Sequence, residues 1–187
     1  MISCLASLLV SLFLITQQEL FPKDEYGKYT LMEIIEVPDY TQEQLFNNAS
    51  SWAKDTFKKP INSRDTAAWS ITASGSFTVH NVGSLKKHPD GAVEFEFTIE
   101  IKEARYRYII TNYKFIPYER DRYAKFVPQN SKSVPLESYP SAMNKANWNS
   151  YLKTAHAKSL ALIDQLSQAV MTPDVQTPKK VKRNDSW

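Results

Sequence analysis

The segment VEFEFTIEIK alternates without a break. Val93, Phe95, Phe97, Ile99 and Ile101 take one set of positions; Glu94, Glu96, Thr98, Glu100 and Lys102 take the other. Successive strand side chains point to opposite faces, so the pattern predicts a strand with one buried and one solvated side. EARYRYIITNYKF follows and predicts the partner strand, ending near Pro117. Further upstream, WSITASGSFTV alternates through Trp69, Ile71, Ala73, Gly75, Phe77 and Val79, a half-buried strand with a bend at Gly75. Gly83 marks a further break, and HPDG, residues 88–91, reads as a turn. YTLMEIIEVP, residues 29–38, predicts a first strand stopped by proline.

Two segments change period. Thr41 and Gln44 in TQEQ form a capping box, in which each satisfies an orphan amide at a helix start. Leu45, Ala49, Trp52, Ala53 and Phe57 then recur at helical spacing and predict a helix over 42–58. Trp148, Leu152, Ala155, Ser159, Leu162, Leu166 and Ala169 predict a second over 144–171. Residues 118–141, from YERDRY onward, carry prolines and no period, which predicts a long loop of the kind that often holds function. The order is strand, helix, three or four antiparallel strands, helix. This is an α+β two-layer plan over 29–171, with both helices on one face of one sheet.

The hairpin register follows from the same pattern. A turn at Glu103-Ala104 sets Ile101 against Tyr106, Ile99 against Tyr108 and Phe97 against Ile110 on the buried side. Glu100 then meets Arg107 on the other side, a pairing worth roughly 0.2–1 kcal/mol. A slip of one residue would set Ile101 against Arg105 and mix the faces. Alternation also carries Arg105, Ile109 and Tyr113 onto the charged face, which implies that a partner or the long loop covers part of it. A two-residue primed turn wants positive φ, which Glu and Ala resist, so a wider turn or local strain is expected at 103–104.

Composition adds an address. Residues 1–18 hold an uncharged stretch with a continuous apolar run from Leu5 to Ile15, the length of a signal-peptide core and short for a membrane span. It reads as a signal peptide or an N-terminal anchor, with membrane contact through that segment. The protein is expected in the periplasm or cell envelope, or secreted. Cys4, the one cysteine, lies in that leader, so a chain cleaved after it has no thiol. The tail, 172–187, is expected to be disordered; its Lys179, Lys180, Lys182 and Arg183 outweigh Asp174 and Asp185 and account for most of the formal net charge of +3. The body is nearly neutral, which argues against nucleic acid as the partner.

The chemistry-bearing residues are sparse. His80, His88 and His156 are scattered with no metal-ligand spacing. Four glycines make no phosphate-cradling loop, and Ser74 and Ser76 beside Gly75 make no nucleophile elbow. Neither a triad nor a carboxylate dyad is in evidence. The pattern therefore predicts no catalytic residue, metal or cofactor.

IIEVPDYTQEQLFNNASSWAKDTFK, ASGSF, FTIEIKEARYRYIITNYKF and NWNSYLKTAHAKSLALIDQLSQAV together resemble a domain family of unknown function described as having a TATA-binding-protein-like fold, common in exported bacterial proteins. The family hairpin usually turns on Asp-Gly, where this chain has Glu103-Ala104. The resemblance implies a fold and an exported address, and no chemistry. The leading expectation is a non-enzymatic binding module of the cell envelope whose partner is an unidentified protein or envelope component. Tyr118, Arg120, Arg122 and Tyr123 are its candidate partner-binding residues, since tyrosine with arginine on a loop is interface composition. Arg105, Arg107 and Tyr113 are expected on the exposed sheet face. The alternatives are a nucleic-acid binder using that face and an enzyme with an unrecognised site.

Overall fold

The computed structural model describes residues 21–57, 61–82 and 88–172. The leader, Gly83, the end of the first predicted helix at Lys58, and the tail beyond Thr172 lie outside them. In chain order the elements are β1 (Leu31–Glu36), α1 (Gln42–Thr56), β2 (Ser63–Asp65), β3 (Ser70–His80), β4 (Pro89–Lys102), β5 (Arg105–Arg120), β6 (Phe126–Pro128), β7 (Val134–Pro135) and α2 (Lys145–Val170). The seven strands form one antiparallel sheet in the order β1-β5-β4-β3-β2, with β6 and β7 also on β5. This is the α+β two-layer plan, with six strands between the helices rather than three or four.

Capping sets where the helices start. Thr41 Oγ1 accepts from the Gln44 amide at 3.3 Å, and Gln44 Oε1 accepts from the Thr41 amide at 3.0 Å. Asn144 Oδ1 accepts from the Ala146 amide at 2.8 Å and opens α2 in the same way. Each helix buries its stripe: Leu45, Ala49, Trp52 and Ala53 on α1, and Trp148, Tyr151, Ala155, Ser159 and Leu166 on α2. Trp52 packs against Phe57 and Phe97, which ties α1 to the middle of β4. Each large apolar side chain so buried contributes on the order of 1.5–3 kcal/mol.

The predicted register holds through the first half of the hairpin. Ile101 pairs Tyr106, Glu100 pairs Arg107, Ile99 pairs Tyr108 and Phe97 pairs Ile110. It then shifts. Glu96 pairs Thr111, but Glu94 pairs Lys114, so Asn112 and Tyr113 together oppose the one residue Phe95. This is a β-bulge, and Asn112 adopts the left-handed conformation at φ 56° that such an insertion uses. An extra residue reverses the parity of everything after it. Tyr113 is therefore 1% exposed, in the core, and not on the outer face where strict alternation puts it. Ile109 precedes the bulge and stays on the outer face, half-buried.

A second bulge corrects the reading of HPDG as a turn. Val79 pairs Gly91 and His80 pairs Pro89, so Asp90 is the inserted residue and β4 already begins at Pro89. Gly91 is required there: a Cβ would sit 2.4 Å from the Ile116 carbonyl oxygen.

The turn at 103–104 is tight rather than wide, and the strain falls on Ala104, at φ 57°. Its surroundings hold it. The Val37 amide donates to the Ala104 carbonyl at 2.7 Å, and Gln42 Nε2 donates to the Ile101 carbonyl at 2.9 Å. Glu103 Oε2 accepts from the Gln42 amide at 3.3 Å, which sets a carboxylate at the positive end of α1.

The long loop expected over 118–141 is largely structured. β5 runs on to Arg120 and folds back as β6; a 3₁₀ turn at Asn130–Lys132 follows, and β7 pairs Lys114 and Phe115 beyond the end of β1. These pieces are two or three residues long, too short for a period to show. Leu136 anchors the return: it is fully buried, and its amide donates to the Tyr113 carbonyl at 2.9 Å.

Candidate functional site

Two surfaces carry the residues singled out by sequence. The first is the β5–β6 hairpin. Asp121 makes its turn: Oδ1 accepts from the Tyr123 and Lys125 amides, both at 2.8 Å, and Ala124 sits at φ 58°. Glu119, on the strand before it, accepts from Gln129 Nε2. Both acids of YERDRY are thus committed within the hairpin. The arginines lie on aromatic rings instead. The Arg120 guanidinium is 4.9 Å from the Phe126 ring centre, and that of Arg122 is 4.8 Å from the Tyr123 ring centre. Tyr123 is 66% exposed, whereas Tyr118 is half-buried opposite Pro128. The structure therefore places Arg120, Arg122 and Tyr123 as exposed residues at the turn end of one hairpin.

The second surface is the sheet face away from the helices. Arg107 donates to Glu100 from Nε at 3.1 Å and also from its terminal nitrogen, so this guanidinium is held along the sheet. Arg105 stands between Glu36 on β1 and Lys102 on β4. Ile34, Lys102, Arg105 and Arg107 line a shallow depression of about 160 Å³ beside the pair. Met32 and Ile34 are 59% and 57% exposed on the same face. The face is neither an apolar groove nor a wholly self-paired lattice of charge.

The tyrosines of the hairpin face the core, with their hydroxyls committed. Tyr106 shares a hydrogen bond with Ser167 at 2.9 Å, Tyr113 one with Ser159 at 2.8 Å, and Tyr108 donates to Glu33 at 2.8 Å. Burial raises the pKa of all three, and for Tyr108 the neighbouring Glu33 carboxylate adds to the effect. None of these rings is placed to stack on a ligand over the outer face.

One constellation escaped the sequence reading. Asp90 accepts from the Tyr151 hydroxyl, and its other oxygen lies 3.2 Å from His88 Nδ1. His88 in turn stacks on Phe126, 5.3 Å between ring centres and 7° from parallel. This chain of contacts fastens α2 to the start of β4 and to the turn end of the β5–β6 hairpin. Tyr151 lies one helical turn before Ala155 in the buried stripe, which was the available signal; the bulge that aims Asp90 left none. Among the described residues no three His, Cys, Asp or Glu side chains gather to hold a metal ion. No described helix is long and apolar enough to cross a membrane.

Comparison with known proteins agrees with this architecture. The family described as a domain of unknown function (DUF4468) with TBP-like fold matches residues 32–115. A solved DUF4468 family protein from Bacteroides ovatus ATCC 8483 superposes with a TM-score of 0.60 at 15% identity, over 85% of this chain and 95% of that one. A TBP-like protein from Parabacteroides distasonis ATCC 8503 superposes with a TM-score of 0.57 at 18% identity, over 81% and 99%. No curated protein matches. At these identities the solved structures establish the fold alone.

Proposed function

We propose that this chain, which resembles the domain family of unknown function with TBP-like fold across residues 32–115, is an exported, non-enzymatic interaction module of the cell envelope that meets its partner through the β5–β6 hairpin. The observation that carries the reading is how charge is divided within YERDRY. Glu119 and Asp121 are consumed in building the hairpin, while Arg120 and Arg122 rest on aromatic rings with their donors open. A guanidinium held on a ring loses little freedom on binding, and tyrosine with arginine dominates binding energy at protein interfaces. The hairpin also continues β5, the strand that β1, β4, β6 and β7 all pair, so it extends from the most heavily paired strand of the sheet.

Export is supported by the apolar run of residues 5–15. Cell fractionation tests it: recovery of the full-length protein in the cytoplasm would end that half of the proposal. For the hairpin, immobilised wild-type chain and an Arg120→Ala, Arg122→Ala, Tyr123→Ala variant are compared against envelope extract. The proposal requires a partner that the wild type retains and the variant, with an unchanged circular dichroism spectrum, does not.

The second reading, nucleic acid on the sheet face, draws on Lys102 facing Arg105. Against it stand the capture of Arg107 by Glu100 and the burial of the tyrosines. It requires a salt-dependent shift with DNA or RNA that disappears on Arg105→Gln.

A further inference from the structure

The outer sheet face carries charges in order along its length, with Ile109, Met32 and Ile34 as apolar positions among them. Reading along β4 from one end, it presents Glu96, Thr98, Glu100 and Lys102; alongside on β5 it presents Thr111, Ile109, Arg107 and Arg105. One end therefore holds Lys102 directly opposite Arg105, two like charges side by side, with Glu36 at the outer corner. Such a pair is destabilising by itself and asks for an anion. Towards the other end stands Glu96, whose cross-strand neighbours Thr111 and Ser74 are not cations; beyond it, past the bulge, Glu94 faces Lys114. Between them Arg107 and Glu100 cancel each other, and Met32 and Ile34 stand exposed on β1.

We propose that this face is where two copies of the chain meet. A two-fold axis lying in the interface, across the strands and midway between Thr98 and Glu100, reverses strand direction and keeps each strand over its counterpart. It sets Lys102 of each copy over Glu96 of the other. On β1 the same axis sets Met32 of each copy over Ile34 of the other, so the two exposed apolar side chains cover one another. Ile109 falls over Arg107 and rests on its aliphatic stem. The alternative axis, along the strands, would bring Lys102 over Lys102 and is refused by charge. A C2 interface must be self-complementary in this way. From strand spacing and rise, about seven residues on each of β1, β5, β4 and β3 offer roughly 450 Å² per copy. Two copies then bury roughly 900 Å², below the usual range of specific interfaces, so the dimer is weak and concentration-dependent. The surface is separate from the hairpin, and the inference does not depend on the proposed function.

A charge swap tests it. Sedimentation velocity at low salt compares the full wild-type chain, a Lys102→Glu, Arg105→Glu variant, and a Glu96→Lys variant. The wild type is expected to dimerise at micromolar to submillimolar concentration and to weaken as salt is added. Each variant alone carries one sign at both ends of the face and is expected to remain monomeric. Mixed in equal amounts, the two variants carry opposite signs at both contacts and are expected to form a heterodimer, which no folding defect would produce. A wild type that stays monomeric throughout, a dimer that survives in either variant, or a mixture that does not associate would each overturn the proposal.

Discussion

The hydroxyls of Tyr113 and Ser159 lie 2.8 Å apart in the core, joining the middle of β5 to α2. Each satisfies the other where no water reaches. Tyr113→Phe leaves the Ser159 hydroxyl without its partner, and Ser159→Ala leaves the phenol without its own. Each single change is expected to cost about 1–2 kcal/mol, and the double change less than their sum, because it removes both polar groups. Urea denaturation of the four proteins measures this; strictly additive losses would show that the bond contributes nothing.

The bulge that turns Tyr113 inward depends on Asn112 at φ 56°, with Lys28 Nζ donating to its side-chain oxygen at 3.1 Å. Asparagine and glycine tolerate this region, and a β-branched residue does not. Asn112→Val is expected to lose about 1–3 kcal/mol, the usual cost of such strain, while Asn112→Gly stays near wild type. Thermal melts of the two variants separate a conformational requirement from the Lys28 contact, which both remove.

Gly75 gives the Phe95 ring its place. A Cβ at that position would lie 2.2 Å from Phe95 Cζ, and Phe77 stacks on the same ring at 4.5 Å between centres. Gly75→Ala therefore forces the ring to move, at about 1–3 kcal/mol by the usual cost of overpacking. Phe95→Leu in the same chain opens the space and is expected to recover part of the loss. If Gly75→Ala alone is neutral in denaturant titration, the ring is not confined as described.

What could be read from the chain and what could not divides along physical lines. Unbroken alternation in Val93 to Ile101 specified both faces of β4 and the register with Tyr106 and Tyr108, because a one-residue slip would have exposed every apolar side chain. The capping box at Thr41 and Gln44 specified the start of α1 for an equally local reason. The failures are at insertions. A bulge adds a residue without marking it in the pattern, so Tyr113 was assigned to the wrong face and Asp90 to a turn. The short strands β6 and β7 owe their existence to the Asp121 turn and the edge of β5, which are tertiary facts. On the candidate surfaces, the Glu100–Arg107 pair was legible, but the stacking of Arg120 on Phe126 was not, because it needs β6 to bring them together.

Ala104 carries strain that glycine would relieve. An L residue in the left-handed region costs roughly 1–2 kcal/mol, against a smaller entropic cost for glycine in the unfolded chain. Ala104→Gly is thus expected to raise stability by about 0.5–1 kcal/mol, and Ala104→Val to lower it. The neighbouring bonds from Val37 and Gln42 use backbone or Glu103 atoms and are unchanged by either substitution. Chemical denaturation midpoints order the three proteins; a glycine variant less stable than the parent would contradict the strain.

The buried tyrosines make the fold sensitive to alkali. Burial raises the pKa of Tyr106, Tyr108, Tyr113 and Tyr151, and the carboxylates of Glu33 and Asp90 push Tyr108 and Tyr151 further in the same direction. In each case the neutral phenol is the form that the fold favours. A pKa raised in the folded state means that the contribution to stability is complete below the unfolded value of about 10 and is lost as pH climbs beyond it. The chain has ten tyrosines. Above pH 10 the phenolate absorbance of the native protein should therefore fall short of that of the denatured protein, the deficit coming from these buried side chains. The missing absorbance should appear together, in step with the loss of circular dichroism, when the pH is carried high enough to unfold the chain. Tyr108→Phe shortens the deficit by one side chain and removes the repulsion that a phenolate beside Glu33 would create, so its unfolding moves to higher pH. Smooth, independent titration of all ten phenols in the folded protein would be incompatible with the hydrogen-bonded, buried positions of these four.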